Sequence, residues 1–182
     1  MLVLGPTLFA AVAPAKARTI KVNAGDDLQA AIDRARGGDT IAVRAGATFT
    51  GPFTLPAHPG HRAITIRSSR LAKLPRGRRV RARDARHMPR LVTPGRGLPV
   101  LATAPRAKGW RLAGLQVTVT DPSATVYALV QLGDGGIAQN SLAEVPRRLV
   151  LERSLVHGTP SGGIQRCVSL NSAATTIRDS RL

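Results

Sequence analysis

Apolar positions along this chain follow two different periods. Near the start, Leu28, Ala31, Ile32 and Ala35 recur at helical spacing and place one apolar stripe on one face. Asp26 is placed to cap this helix, Gln29 three residues later completes a capping-box pattern, and Gly37 and Gly38 supply a stop. The pattern predicts an amphipathic helix of about two to three turns. Elsewhere the apolar runs are short and punctuated by Gly, Pro, Asn, Asp or Ser. They predict strands at 18–22, 40–43, 53–55, 63–67, 90–93, 100–103, 110–120, 126–132, 148–153, 167–171 and 175–179. Helical crossovers between these strands are missing from the pattern, which disfavours a doubly wound α/β sheet and points to an all-β domain.

Three stretches resemble one another: Leu112-Ala-Gly-Leu-Gln-Val117, Leu151-Glu-Arg-Ser-Leu-Val156 and Ile177-Arg-Asp-Ser-Arg-Leu182. Each has an aliphatic residue first and last and Leu or Ser fourth. Their intervals of 39 and 26 residues fall in the range of repeat arrays. The longer interval contains the glycine-rich stretch 133–141, which reads as a loop insertion.

Composition narrows this picture. The chain has 182 residues, of which 43% are apolar, enough for one domain with a core and against wholesale disorder. A single cysteine, Cys167, rules out an intrachain disulfide or a cysteine-based metal cluster. The formal net charge is +17, and between Arg62 and Arg111 there are 15 bases against Asp84 alone. The densest part, 74–90, has sparse apolar residues and is expected to be a long exposed loop, read as an arginine-rich solvated segment with polyanion contact as the sharper alternative. At the amino terminus, the apolar run 2–13 and the pattern Ala15-Lys16-Ala17 suit a signal peptide over 1–17, although no basic residue precedes the run. Export is the expectation, to a secreted, periplasmic or cell-surface location. The run falls short of the roughly 20 residues a transmembrane helix needs.

With these features the sequence resembles bacterial right-handed parallel β-helix proteins of the pectin-lyase-like superfamily. The resemblance is carried by 25–46, Gly51-Pro-Phe-Thr-Leu55, Ile64-Thr-Ile-Arg-Ser-Ser69, 145–158 and Val168-Ser-Leu-Asn-Ser172. It implies a solenoid over 18–182, with the short helix capping its first coil. It also implies that the strand running to Leu182 belongs to a longer member of the family. The activity implied is that of a polysaccharide lyase or hydrolase acting on an acidic polysaccharide, with calcium as the cofactor some relatives use. A non-catalytic glycan-binding β-helix is the alternative. Nucleic acid is disfavoured, because Trp110 and Tyr127 are too isolated for a stacking platform and no recognition helix is predicted.

Candidate chemistry is thin. Hydrolysis needs two carboxylates about 5–10 Å apart, and beyond the helix region the acids are Asp84, Asp121, Asp134, Glu144, Glu152 and Asp179. No two share a strand face, and Glu152 and Asp179 occupy different positions of the repeat, so both read as parts of a solvated surface. His58 and His61 read as turn residues, with no cysteine near them and only distant acids to complete a metal site. Asn171 reads as part of a stacked polar ladder. Guanidinium forks match uronate carboxylates, which makes Arg153, His157 and Arg166 the candidate substrate-binding residues. No catalytic residue is assigned.

Overall fold

The computed structural model describes residues 16–93, 96–137 and 139–182; the predicted leader segment lies almost wholly outside them. Fourteen strands and one α-helix are present among these residues: β1 (Thr19–Val22), α1 (Leu28–Asp33), β2 (Thr40–Val43), β3 (Thr48–Thr50), β4 (Phe53–Leu55), β5 (Ile64–Ser68), β6 (Arg90–Thr93), β7 (Leu101–Thr103), β8 (Trp110–Ala113), β9 (Gln116–Val119), β10 (Thr125–Leu132), β11 (Arg147–Glu152), β12 (Leu155–Val156), β13 (Gly163–Leu170) and β14 (Ala173–Arg178). They form three parallel sheets. The first has the order β1-β2-β5-β8-β11-β14, the second β3-β6-β9-β12 and the third β4-β7-β10-β13. From β2 onward the chain visits first, second and third sheet in that order, so each new strand pairs with the one laid down three strands earlier. The protein is mostly β with very few helical residues, as the short apolar runs predict.

Alternation drives the first sheet. Its register aligns Ile20, Ile41, Ile66, Leu112, Leu151 and Ile177 into one aliphatic column. The first five are buried in a core shared with inward residues of the other sheets, and Ile177 packs at its margin. Neighbouring strands lie about 4.8 Å apart, so each aliphatic side chain rests on its counterpart one strand away. This column includes the first positions of the three similar stretches, which are therefore structurally equivalent. Their third positions, Gly114, Arg153 and Asp179, adopt φ of 68°, 48° and 53°. The left-handed conformation turns the chain out of the first sheet at the same corner each time, and backbone N–H groups of Gly114 and Arg153 continue the ladder to Glu152 and Arg178 carbonyls. Serine hydroxyls brace the corner: Leu115 N–H donates to Ser154 Oγ and Ser154 N–H to Ser180 Oγ. Asn171, read as part of a stacked polar ladder, instead donates its side-chain amide to Ser169 Oγ of β13, away from the serine-braced corner.

Several expectations need correction. The helix is shorter than predicted, and its N-cap is Asp27, whose carboxylate accepts from Ala30 N–H at 3.0 Å. Asp26 accepts from Asn23 N–H, and Gln29 is drawn to the Thr54 backbone, where it both donates and accepts. A cross-strand amide pairing has replaced the capping box, tying α1 to β4. The predicted strand 110–120 is two strands, because the Gly114 corner divides it. The short strands β3 and β12 escape a periodicity reading. Segment 69–89 is also no free loop. It holds two 3₁₀ turns, Leu71–Lys73 and Ala82–His87, and its few apolar residues are spent well: Leu74, Val80 and Met88 form a second buried cluster with Leu155. The segment is a strap lying across the outside of the protein. At Gly114 it comes so close that a Cβ there would sit 2.7 Å from Leu74 and 2.8 Å from Leu71.

Candidate functional site

The middle of the strap is tied to Asp179, the residue that follows β14. Gly77, at φ 70°, donates its N–H to an Asp179 carboxylate oxygen at 3.0 Å, and Val80 N–H donates to the Asp179 carbonyl at 2.9 Å. Between strap and sheet lies a cleft of about 460 Å³, lined by Arg76, Gly77, Arg111, Glu152, Arg153 and Arg178 together with Asp179.

Glu152 is its centre. Pairing β11 with β14 sets Glu152 directly beside Arg178, and pairing β11 with β8 brings Arg111 diagonally across. The left-handed corner folds Arg153 back over its neighbour. Arg111 donates Nε and Nη2 to Oε1 at 3.1 and 2.7 Å, and Arg153 Nη2 donates to the same oxygen at 3.1 Å. Arg178 donates Nε and Nη2 to Oε2. The expectation of a solvated Glu152 is therefore wrong: the side chain is 3% exposed beneath three guanidinium groups. Burial pushes its carboxyl pKa up, and the hydrogen bonds from Arg111, Arg153 and Arg178 more than reverse this, holding it below the usual carboxylate range. An ionised Glu152 has no proton to deliver to a glycosidic oxygen. Its role is to gather three like charges in one place.

The cluster consequently keeps an excess of two positive charges. Arg111 and Arg178 remain about half exposed, at 41% and 54% of the side chain, and each spends only Nε and Nη2 on Glu152. Arg153 differs, because its side chain is 9% exposed and its Nη1 is buried with no acceptor. A guanidinium has five donors and no acceptor. This site therefore offers N–H groups to an anion while its own carboxylate keeps the forks in place.

The three residues nominated from sequence do not converge. Only Arg153 belongs to this cleft. His157 follows β12 in the second sheet, where its Nδ1 lies 2.8 Å from the Gly158 carbonyl and its Nε2 lies 3.0 Å from the Gln116 amide nitrogen. A carbonyl can only accept, so Nδ1 carries the proton and Nε2 accepts from Gln116. Arg166 lies in β13 of the third sheet, its guanidinium stacked 4.4 Å from the Tyr127 ring centroid. The residues that sequence reasoning missed, Arg76, Arg111 and Arg178, come from three separate stretches of chain. The available signal was the position after the aliphatic column, which carries Glu152 in one copy and Arg178 in the next.

Metal binding does not fit this site, since guanidinium donors cover both Glu152 oxygens. Among the described residues, no three His, Cys, Asp or Glu side chains gather as a metal site. His58 is buried edge-on against Trp110, with ring centroids 5.8 Å apart. Also among the described residues, no helix is long and apolar enough to cross a membrane.

No protein-family model matches this chain. No curated protein matches it either. Among solved structures, an alginate lyase from Paenibacillus sp. str. FPU-7 aligns with 90% of this chain and 75% of its own, at 16% sequence identity and a TM-score of 0.47.

Proposed function

We propose that this protein is an exported right-handed parallel β-helix of the pectin-lyase-like kind that binds an acidic polysaccharide through the guanidinium cleft around Glu152. The observation that carries the reading is the cluster itself: Arg111, Arg153 and Arg178 converge on one buried carboxylate and leave donors over for a second anion. Planar forks of this kind suit the carboxylates of uronic acids. The cyclic visiting order of the three parallel sheets supports the β-helix reading, and the apolar run at 2–13 followed by Ala15-Lys16-Ala17 supports export. Binding is favoured over glycoside hydrolysis because Glu152 is held ionised and Asp179 is engaged with the strap.

Affinity retention tests this reading. The protein is expected to be retained on immobilised polygalacturonate or alginate, to elute with salt, and to pass through a neutral glucan. An Arg111→Ala/Arg178→Ala variant is expected to lose affinity by about tenfold or more, in line with loss of charge-assisted hydrogen bonds. Equal retention on neutral and acidic matrices overturns the proposal. Release of unsaturated uronate products by the wild type would move the reading from binder to lyase.

A further inference from the structure

The Glu152 cleft is not isolated. A second hollow, shaped by Arg79, Ser180 and Leu182, shares Arg178 and Asp179 with it. A third, of about 470 Å³, shares Arg79 and Leu182 with the second and is walled by Arg78, Arg81 and Arg181. The three adjoin in sequence along one side of the strap. Among the described residues, the guanidinium groups of Arg78, Arg79, Arg81 and Arg181 have no carboxylate partner within ion-pair distance. All four side chains are exposed. The strap backbone beneath them is fixed by the Gly77 and Val80 hydrogen bonds to Asp179 and by the buried Val80 side chain. Fixed backbone with unneutralised charge is the arrangement expected of a surface that receives a polyanion.

We propose that the strap and the Glu152 cleft form one continuous anion-binding track, which holds several consecutive acidic residues of a single polysaccharide chain. This rests on the acidic-polysaccharide reading above and adds a second, separable contact region. One acidic sugar in the Glu152 cleft presents the next to the strap, where engagement is intramolecular and gains from effective concentration. The track therefore selects for chain length as well as for charge.

Calorimetric titrations of the full-length protein with a uronate disaccharide and with long polygalacturonate test this, comparing wild type with Arg78→Ala/Arg79→Ala/Arg81→Ala. The variant leaves Gly77, Val80 and the Glu152 cluster untouched. The expected result is an unchanged disaccharide affinity, a polymer affinity lower by about tenfold or more, and a shallower salt dependence for the polymer. An unchanged polymer affinity overturns the track, as does an equal loss for both ligands. Should the triple variant misfold by circular dichroism, Arg181→Gln on the opposite wall provides the same comparison. Wild type that binds neither ligand overturns the parent reading. Wild type that binds single-stranded DNA more tightly than polygalacturonate overturns polysaccharide as the occupant.

Discussion

Glu152 concentrates what is unusual about this protein into one side chain. Removing its charge in Glu152→Gln leaves three guanidinium groups crowded together and places an amide donor among donors. Two of those groups are half exposed, so solvent absorbs part of the repulsion, and the expected loss is about 2 kcal/mol, below the cost of stripping a fully buried pair. The pH dependence has a definite sign. A carboxyl whose folded pKa lies below its ordinary value near 4.5 stabilises the folded state above that value, and the contribution disappears as pH falls through the lower folded value. Thermal melts should therefore show wild type losing its advantage over Glu152→Gln on acidification below about pH 4.5. Parallel melting curves at pH 7 and pH 3 would show that Glu152 is not ionically held. Adjacent Arg153 is the one local partner; the other two, Arg111 and Arg178, stand 41 and 26 residues away along the chain, so the local sequence shows only a fragment of this role.

Elements were legible to the extent that their signals were local. The aliphatic column and the alternation around it are written in the sequence, and strands such as Arg90–Thr93 and Phe53–Leu55 fall at their predicted bounds. Corners were harder to read. Glycine announces a left-handed turn at Gly114, whereas the equivalent Arg153 and Asp179 carry no such announcement. The strap was misread for a related reason: Leu74, Val80 and Met88 are too widely spaced to suggest an element, yet each finds a place in the small cluster with Leu155. Gly114→Ala tests the closeness of that packing. The added methyl meets both strap leucines in a backbone conformation that disfavours a Cβ, so a loss of about 1–3 kcal/mol is expected in chemical denaturation. A neutral result would mean that the strap stands off from the corner.

At the scale of the molecule, the charge of +17 resolves into a strongly basic region around the strap and a remainder close to neutrality. The basic excess was readable in the sequence, and the structure gathers part of it on the face where the strap meets β8, β11 and β14, which is where the proposed track lies. The Asp179 latch on Gly77 joins residues 102 positions apart. Such a closure forms only once β14 has been added to the first sheet, so the arginine track is complete only when this part of the chain has folded. Arg76, Arg78 and Arg79 are otherwise ready sites for a trypsin-like protease, which needs several residues of extended, movable backbone to cut. Asp179→Gly removes the carboxylate while suiting the left-handed corner. It should be nicked at these arginines well before the wild type, as read by mass spectrometry of the earliest fragments. Cleavage at equal rates would show that the latch does not hold the strap. Early nicking of the variant would make resistance to proteolysis and completion of the proposed track depend on the same hydrogen bond, so an unfinished molecule would be open to destruction while its run of arginines is still incomplete.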